Sequence, residues 1–521
     1  MGRIDRRGFL KTSGGGVLAL WLGGRTPAAR AADTPKLPNI VYILCDDLGY
    51  GDVKCLNPDG KIPTPNLDKL ASQGVMFTDA HSGSAVCSPT RYGIMTGRYS
   101  WRSTLKSGVL YTNSPPLIPT DRLTVASMLK QRGYRTACIG KWHLGMVFKT
   151  TDGQEQRVKN LDFAQPIQDG PTALGFDYYF GIPASLDMED YYFIDDNRVV
   201  KAPTRREEAE KGLRYHRAGL MAEDFTLEGV LPALTRHAVG VIDGHARDYA
   251  DKPLFLYLPL SAPHAPIVPN DEFKGRGNVG LYGDFVAEID STVAQVLEAL
   301  DRNGMTDNTL VIFTSDNGFA PIADLDGLLA QGHDPCYVFR GTKADIFEGG
   351  HHIPFIARWP GRVAAGSACT DTICLADLMA AAAEITDFDI PDNAGEDSVS
   401  FLPALLAKTP RAGREATVHH SSNGSFAIRQ GKWKLIFCPD SGGWSQPTPK
   451  EAKTMDLPPI QLYDLEADIA EVKNVYAEHP DVVERLTNLM KKYIDNGRST
   501  PGAPQKNEGK IWMYRAEAAK V

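Results

Sequence analysis

Four largely apolar, strand-like runs constrain the fold of this chain more than any other feature. They occupy residues 39–45, 134–140, 254–260 and 309–314. A run that is apolar along nearly its whole length is typical of a strand buried on both faces of a parallel sheet. Helical patterns separate the runs, as expected for alternating strands and helices. The sequence therefore predicts an α/β fold, with a large, mostly parallel sheet sandwiched by helices.

Residues suited to metal binding or acid–base chemistry follow each run. They are Asp46 and Asp47 after the first run, Lys141 and His143 after the second, His264 after the third, and Asp316 and Asn317 after the fourth. In an open parallel sheet, ligands bind outside the carboxyl ends of the strands. We therefore expect these seven residues to converge at one edge of the sheet.

Taken singly, these segments also have ordinary structural explanations. Adjacent carboxylates such as Asp46 and Asp47 repel each other unless a cation lies between them, but a solvated turn explains such a pair equally well. A single histidine is usually structural, although His264, flanked by prolines after a strand, is a better functional candidate. Lys141 and His143 are two residues apart, so from an extended segment both would reach one anion.

A short stretch around Cys87 shows a pattern that ordinary cysteine chemistry does not explain. Cys87 is followed by Pro89 and Arg91 at fixed offsets, and then by Arg98. A nucleophilic cysteine needs a nearby base, and a structural cysteine needs only an apolar pocket. The sequence predicts a helix through residues 92–95, so Cys87 would lie just before a helix N-terminus, where free amide groups favour anions.

The pattern C-x-P-x-R, followed by T-G-R at residues 96–98, resembles the signature of the type I sulfatases. The G-K-W-H segment at residues 140–143 resembles the second signature of that family. The resemblance runs from about residue 38 to the C-terminal domain and is closest to the N-acetylgalactosamine-6-sulfatase and arylsulfatase A types. It implies an alkaline-phosphatase-like fold and conversion of Cys87 to formylglycine by a formylglycine-generating or sulfatase-maturating enzyme.

The same resemblance implies a divalent cation. Its ligands would be Asp46, Asp47, the modified Cys87, Asp316 and Asn317. All of these would offer hard oxygen atoms, which favour Ca²⁺ over zinc, with Mg²⁺ as the alternative. The cation would hold the sulfate, polarise sulfur and stabilise the ionised nucleophile.

Catalytic roles also follow from the resemblance. One hydroxyl of the hydrated aldehyde would attack sulfur, and the other, once deprotonated, would expel sulfate. Arg91 would hold the hydrate, Lys141 and Lys343 would bind sulfate oxygens, His143 would be the base, and His264, helped by Lys343, the general acid. Arg98 would support the Cys87 loop. The chain has His351 and His352 where the family often has an arginine in the second position, and whether this pair faces the pocket stays open.

Composition and targeting signals bear on partners and compartment. The formal net charge of −8 argues against a nucleic-acid partner. Residues 6–11 form a twin-arginine pattern, followed by a short apolar run and a small-residue cleavage site. We therefore predict a twin-arginine signal peptide at residues 1–31, export to the periplasm or medium of a bacterium, and no membrane span.

The chain is expected to divide after the signal peptide into two parts. Residues 36–410 form the predicted catalytic domain and residues 411–521 a smaller α+β C-terminal domain, where two β-rich runs joined by Gln430-Gly431 predict a hairpin. The eight cysteines lack the spacing of a disulfide scaffold or zinc site, and pairing of Cys369 with Cys374 stays open.

The function predicted from all of this is hydrolysis of sulfate esters, on a sulfated carbohydrate by analogy with the family. One alternative is a phosphonate monoester or phosphodiester hydrolase, which uses the same metal and formylglycine set. The other is a protein that only binds sulfated glycans, with Cys87 unmodified. The sequence does not specify the sugar, the sulfate position, endo or exo action, or the oligomeric state.

Overall fold

The first apolar run lies at the centre of the observed sheet. The computed structural model describes residues 36–408 and 413–514, so the predicted signal peptide lies outside the described residues. The run forms a strand, Asn39–Asp46, in which every residue is buried. It pairs in parallel with a strand on each side. The prediction of a central strand covered on both faces is confirmed.

The secondary structure elements are numbered in chain order. The strands are β1 Asn39–Asp46, β2 Val75–Phe77, β3 Ala80–His81, β4 Arg135–Lys141, β5 Tyr178–Ile182, β6 Ile194–Asp195, β7 Arg198–Val199, β8 Arg205–Glu207, β9 Gly219–Met221, β10 Leu254–Pro263, β11 Thr309–Ser315, β12 Phe355–Arg358, β13 Ser367–Cys369, β14 Ile373–Cys374, β15 Thr417–His420, β16 Phe426–Gln430, β17 Trp433–Ile436 and β18 Gln461–Asp464. The α-helices are α1 Pro65–Ser72, α2 Cys87–Thr96, α3 Val125–Gln131, α4 Val230–Asp248, α5 Leu281–Arg302, α6 Leu325–Ala330, α7 Glu348–His351, α8 Leu378–Thr386, α9 Leu402–Leu405 and α10 Pro480–Asp495.

The large sheet has a parallel centre flanked on both sides by antiparallel pairings, and its edge strand β13 pairs in parallel with β2. Its ten strands lie in the order β13-β2-β12-β11-β1-β10-β4-β5-β6-β7. The five strands from β11 to β5 all run the same way. The four predicted runs form β1, β4, β10 and β11, so all of them belong to this parallel centre. Their carboxyl ends therefore share one edge of the sheet.

Two groups of helices cover this sheet. Helices α4 and α5 pack against each other and against β10, and α1 packs on α5 and β12. Helices α2, α3 and α8 form the second group, and α3 contacts β4. Apolar side chains at helical spacing bury one face of α5, as its sequence predicts. The predicted α/β class with a large, mostly parallel sheet is confirmed.

A second, four-stranded antiparallel sheet lies near the C-terminus. Its order is β15-β16-β17-β18, and the predicted hairpin joins β16 to β17. Helix α10 packs on this sheet through Leu486 and Met490, in an apolar cluster that also includes Trp101 from the region of α2. Residues from Leu37 onward form one compact unit, and the predicted boundary at 410/411 falls between the described ranges.

Two further expectations concern the membrane and the cysteines. Among the described helices, none has both the length and the apolar composition needed to cross a membrane. No disulfide bond joins any of the eight cysteines, all of which lie in the described ranges, so Cys369 and Cys374 are not bonded to each other in this structure.

Candidate active site

The carboxyl ends of the central strands bring the predicted site residues together. Strand β1 ends at Asp46, and the register places Cys45 opposite Ser315 of β11 and Asp46 opposite Pro263 of β10. Asp316 and His264 are the next residues after these two neighbours. Lys141 is the last residue of β4. The expected convergence at one sheet edge is therefore what the structure shows.

The backbone bends sharply at two of these strand ends. Asp47 has φ 67° and His143 has φ 57°, so both lie in the left-handed region that few non-glycine residues adopt. Such conformations persist where the surrounding structure holds them in place. The sequence predicts one extended segment for Lys141 and His143, and this is wrong, because β4 ends at Lys141 and the backbone is left-handed at His143. With this left-handed backbone, the His143 ring contacts the carbonyl oxygen of Leu110.

Cys87 is the first residue of helix α2. The sequence predicted that the helix begins after Pro89, but it begins at Cys87, because proline is tolerated in the first helical turn. Cys87 and Arg91 therefore lie one turn apart on the same helix face. Burial raises the pKa of the Cys87 thiol, an effect only partly offset by Lys141 and Lys343. The unmodified thiol is protonated at neutral pH and is a poor nucleophile.

Three buried carboxylates each contact a buried cation in the site. Lys141 Nζ lies 2.6 Å from Asp46 Oδ2, and Lys343 Nζ lies 2.6 Å from Asp47 Oδ1. Arg91 Nη2 lies 2.7 Å from Asp316 Oδ2. Charged side chains are rarely buried unless paired, so these contacts compensate part of the desolvation cost.

The carboxylates are crowded enough to affect one another. Burial, together with the charges of Asp46 and Asp47, raises the pKa of Asp316 to about 6, against the opposing effect of Arg91. The pKa of Asp46 is held below its usual range by Lys141, His264 and Arg91, despite burial. For Asp316, burial and the neighbouring carboxylates therefore outweigh the opposing effects of Arg91 and Lys141.

The donor set fits a hard divalent cation. Ligand atoms of Asp46, Cys87 and Asp316 all lie within 4.8 Å of one another. Asp46 Oδ1 and Asn317 Oδ1 are buried and have no hydrogen-bond partner among the described residues. Asn317 also donates a hydrogen bond from Nδ2 to Asp47 Oδ1 over 2.7 Å, which places it in the same cluster. Unpaired carboxylate and amide oxygens are the ligands that Ca²⁺ and Mg²⁺ use.

The two predicted acid–base histidines differ in environment. His143 is buried, and burial and the charges of Lys141 and Arg91 lower its pKa well below the usual range. Its Nε2 lies 2.8 Å from the carbonyl oxygen of Leu110, while Nδ1 is buried without a hydrogen-bond partner among the described residues. His264 is 13% exposed, and its Nε2 lies 3.6 Å from Asp47 Oδ2.

Sequence reasoning missed two residues that contact the predicted ones. Ser185 Oγ lies 3.1 Å from Lys141 Nζ and 3.2 Å from His264 Nε2. Ser185 follows β5, which runs parallel to β4, so the rule that located the other residues also applies to it. Residues 146–250 show no strong strand pattern, and this hid β5. Leu110 contributes only a backbone carbonyl, for which side-chain chemistry gives no signal.

His351 and His352 lie outside the site, at the junction with the C-terminal sheet. His351 Nδ1 is 3.1 Å from His81 Nδ1, and its Nε2 is 3.1 Å from Lys434 Nζ. His352 Nδ1 contacts Glu348 Oε2 at 3.0 Å. Both rings are buried and make these contacts with residues outside the site, so the pair does not face the pocket.

Arg98 lies just past the C-terminal end of helix α2, which begins at Cys87. Its Nη1 donates to Tyr92 Oη over 2.9 Å, and its Nη2 donates to the carbonyl oxygens of Arg102 and Lys506. These contacts attach the C-terminal end of α2 to the last described segment of the chain.

Comparisons with known proteins agree with this geometry. The sulfatase family model matches residues 38–390. The chain is 35% identical over 493 residues to N-acetylgalactosamine-6-O-sulfatase of Bacteroides thetaiotaomicron, covering 87% of this chain and 92% of that protein. It is 31% identical over 478 residues to human arylsulfatase A, covering 87% of each chain.

A solved structure from Bacteroides thetaiotaomicron, described in connection with the metabolism of multiple glycosaminoglycans, superimposes with a TM-score of 0.76. It is 33% identical, and the match covers 88% of this chain and 99% of that chain. The family match spans the whole parallel sheet and every residue of the site described above. The chain belongs to the sulfatase family and is a sulfuric ester hydrolase.

Proposed function

We propose that this sulfatase hydrolyses a sulfate ester of a carbohydrate, using a formylglycine formed from Cys87 and a bound Ca²⁺ ion. The observation that carries the proposal is the arrangement of three carboxylates and three cations around a helix that begins at Cys87. A maturation enzyme of the formylglycine-generating or sulfatase-maturating class would modify Cys87.

The environment of Cys87 supports its modification. A buried thiol with a raised pKa is a poor nucleophile. A hydrated aldehyde would supply two hydroxyl groups on one carbon, one to attack sulfur and one to restore the carbonyl. Arg91, one helical turn further on, would hold such a hydrate through its guanidinium group.

The unpaired oxygens of Asp46 and Asn317, with Asp47 and Asp316, would hold the cation. A bound Ca²⁺ would orient a sulfate group and favour ionisation of a nearby hydroxyl. Its two positive charges would also offset the burial and the neighbouring carboxylates that together raise the pKa of Asp316. Mg²⁺ prefers stricter octahedral geometry and would bind the same oxygens less readily.

Lys141 and Lys343 are the proposed sulfate-binding residues. Each ammonium group already contacts a carboxylate at the floor of the site, and each has three N–H donors. The remaining donors are available to sulfate oxygens and to the negative charge that builds up in the transition state.

His143 is the proposed base. Because a carbonyl oxygen only accepts hydrogen bonds, the neutral ring must carry its proton on Nε2, which donates to Leu110. Nδ1 then has a free lone pair, and the lowered pKa keeps the ring neutral at physiological pH. The ring is ready to accept a proton from a hydroxyl group on residue 87.

His264 is the proposed general acid. Its Nδ1 lies 2.5 Å from the carbonyl oxygen of Ala265, so Nδ1 carries a proton and Nε2 faces Ser185 and Asp47. Its partial exposure is suited to a group that meets the leaving oxygen of the substrate. A proton held on Nε2 would pass to that oxygen as the ester bond breaks.

A sugar is the proposed substrate because the relatives named above include an N-acetylgalactosamine-6-O-sulfatase that covers most of this chain. We also propose export by the twin-arginine route to the periplasm or medium, which rests on residues 1–31 alone. The chain would then cross the membrane already folded.

The test is turnover by protein produced together with a formylglycine-generating enzyme. Defined sulfated mono- and disaccharides, an aryl sulfate and an aryl phosphonate are compared under the same conditions with Ca²⁺. We expect at least one sulfated sugar and the aryl sulfate to be hydrolysed. A strong preference for the phosphonate would instead establish a phosphonate monoester hydrolase. Unmodified Cys87 in protein from the native host would establish a glycan-binding protein.

A further inference from the structure

Three side chains beside the sulfate-binding residues have no part in the mechanism proposed above. They are Tyr111, Asp187 and Arg217, which we call the rim. We propose that the rim binds the uncharged hydroxyl groups and one face of the sugar ring that carries the sulfate, and so determines which sugar is accepted. This inference rests on the proposed function, because it places a sulfated sugar in the site.

On one side, the rim is attached to the residues that meet the leaving group. Ser185 contacts both Lys141 and His264, and Asp187 follows it by two residues. The carbonyl oxygen of Asp187 accepts a hydrogen bond from the backbone N–H of Arg217 over 3.1 Å. Although Asp187 is buried, His264, Arg217 and Lys141 together hold its pKa below the usual range. The carboxylate therefore lies within the electrostatic reach of the site.

On the other side, the rim is attached to the proposed nucleophile and base. Tyr111 directly follows Leu110, whose N–H donates to Ser88 Oγ over 3.1 Å and whose carbonyl oxygen contacts His143. The Tyr111 side chain is 54% exposed. The guanidinium carbon of Arg217 lies 5.9 Å from the centre of the Tyr111 ring. This proximity links the Tyr111 side of the rim to the Asp187 side.

The rim offers hydrogen-bonding groups that the protein does not use. Arg217 Nη1 donates to Asp187 Oδ2 over 2.6 Å and to the Asp187 carbonyl oxygen over 3.1 Å. Within the described part of the chain, Nε and Nη2 of Arg217 have no acceptor, and the side chain is 33% exposed. Asp187 Oδ1 is buried and has no hydrogen-bond partner among the described residues. Donors and an acceptor side by side match sugar hydroxyls, which both donate and accept.

The charge of the rim favours a neutral sugar ring over a second anionic group. The Asp187 carboxylate neutralises Arg217 at 2.6 Å, and Glu189 adds a further negative charge nearby. The site floor, by contrast, presents Lys141 and Lys343 to the sulfate. An exposed tyrosine ring adds a flat apolar surface for the C–H face of a sugar. The two regions therefore divide recognition between the sulfate and the ring that bears it.

The experiment measures binding rather than turnover. Full-length Cys87→Ala protein with Ca²⁺ is titrated calorimetrically with N-acetylgalactosamine 6-sulfate and with 4-nitrophenyl sulfate, and the ratio of the two Kd values is the readout. A site that hydrogen-bonds a hydroxyl loses much of its selectivity when those bonds are removed. We expect Arg217→Ala and Tyr111→Ala, each in this background, to shift the ratio against the sugar by about tenfold or more.

Two matched controls accompany these variants. Arg206 is an exposed arginine that pairs with Glu208, as Arg217 pairs with Asp187. Tyr249 is partly exposed and contacts Arg135 at the amino end of β4, the opposite edge of the sheet. We expect Arg206→Ala and Tyr249→Ala to leave the ratio unchanged. The exposed position of Tyr111 makes Tyr111→Ala the variant of choice if Arg217→Ala folds poorly.

Several results would overturn the inference. An unchanged ratio of the two Kd values in both rim variants would show that the rim does not recognise the sugar. This includes the case in which both probes bind more weakly by the same factor. A disulfated sugar is titrated as a third probe. If the wild type bound it in preference to the monosulfated sugar and Arg217→Ala lost that preference, the rim would instead be an anion subsite. The matured protein is assayed separately for hydrolysis. If the matured protein does not hydrolyse the sugar but the Kd ratio shifts in the rim variants, only the proposed function is contradicted. If it hydrolyses the sugar but the Kd ratio does not shift, only the proposal for the rim is contradicted.

Discussion

Arg91 Nη2 lies 2.7 Å from Asp316 Oδ2, and this contact joins the helix that begins at Cys87 to the carboxyl end of β11. Arg91 Nε donates to the same oxygen over 3.0 Å, and Nη1 donates to the carbonyl oxygen of Lys141 over 2.9 Å. One guanidinium group therefore holds three elements of the site together. Both side chains are fully buried, so losing either partner would leave an uncompensated charge.

Arg91→Lys tests this bridge. Lysine keeps the charge but cannot make the forked contact to Asp316 and the bond to Lys141 at the same time. We expect kcat/KM on an aryl sulfate to fall by about 10²-fold or more, as when a positioned charge is lost from an active site. Arg247→Lys is the control, because Arg247 makes a forked contact with Asp248 on the surface. Equal activity of the two variants would show that the bridge does not position the site.

Calcium should stabilise the folded protein. The buried oxygens Asp46 Oδ1 and Asn317 Oδ1 have no hydrogen-bond partner among the described residues, and a bound cation would be coordinated by them. At a Ca²⁺ concentration about 100 times Kd, the free energy of unfolding should rise by about 2.7 kcal/mol. Thermal unfolding with Ca²⁺ and with a chelator measures this shift, and elemental analysis should find one calcium ion per chain. Asp316→Asn should abolish the shift, and Asp271→Asn, on the surface, should not.

The two histidines should differ in their dependence on the leaving group. A general acid matters most when the departing oxygen is a poor leaving group, as a sugar hydroxyl is, and less for a nitrophenol. His264→Gln should therefore reduce kcat for a sulfated sugar about 10²-fold more than for an aryl sulfate. His143→Gln should reduce kcat for both substrates alike, since release of sulfate from residue 87 does not involve the alcohol. The opposite pattern would exchange the two roles.

His420 should make the protein sensitive to acid. Burial lowers the pKa of His420 from 6.5 to about 4. Above pH 6.5 the ring is neutral in both states; as the pH falls toward about 4, only the unfolded chain gains the proton, so stability declines. Over this range the loss should be about 3 kcal/mol.

Urea unfolding of His420→Leu and of wild type, compared at pH 7 and pH 4.5, checks this expectation. The variant should lose less stability on acidification than the wild type. His479→Leu serves as the control, since His479 lies only partly buried on Trp433. Parallel pH profiles for wild type and His420→Leu would contradict the assignment.

The sequence was sufficient to predict which residues meet, because position after a buried strand is a property of the chain alone. Asp46, Lys141, His264 and Asp316 were all located in this way. The left-handed backbone of His143 was not predictable from the sequence pattern, and neither was the contact of its ring with the carbonyl oxygen of Leu110, which is distant in sequence. The rim was missed for a related reason. Arg217 and Asp187 lie in irregular segments, and only the folded chain brings them together with Tyr111.

The central claim concerns the chemical identity of residue 87, and peptide mass spectrometry tests it most directly. The protein is produced with a formylglycine-generating enzyme, digested, and the peptide containing residue 87 is measured beside the same peptide from Cys87→Ala. We expect the wild-type peptide to have the mass of an aldehyde in place of the thiol, and only the wild-type protein to hydrolyse an aryl sulfate. A wild-type peptide with an intact thiol in fully active protein, or turnover retained in Cys87→Ala, would contradict the account.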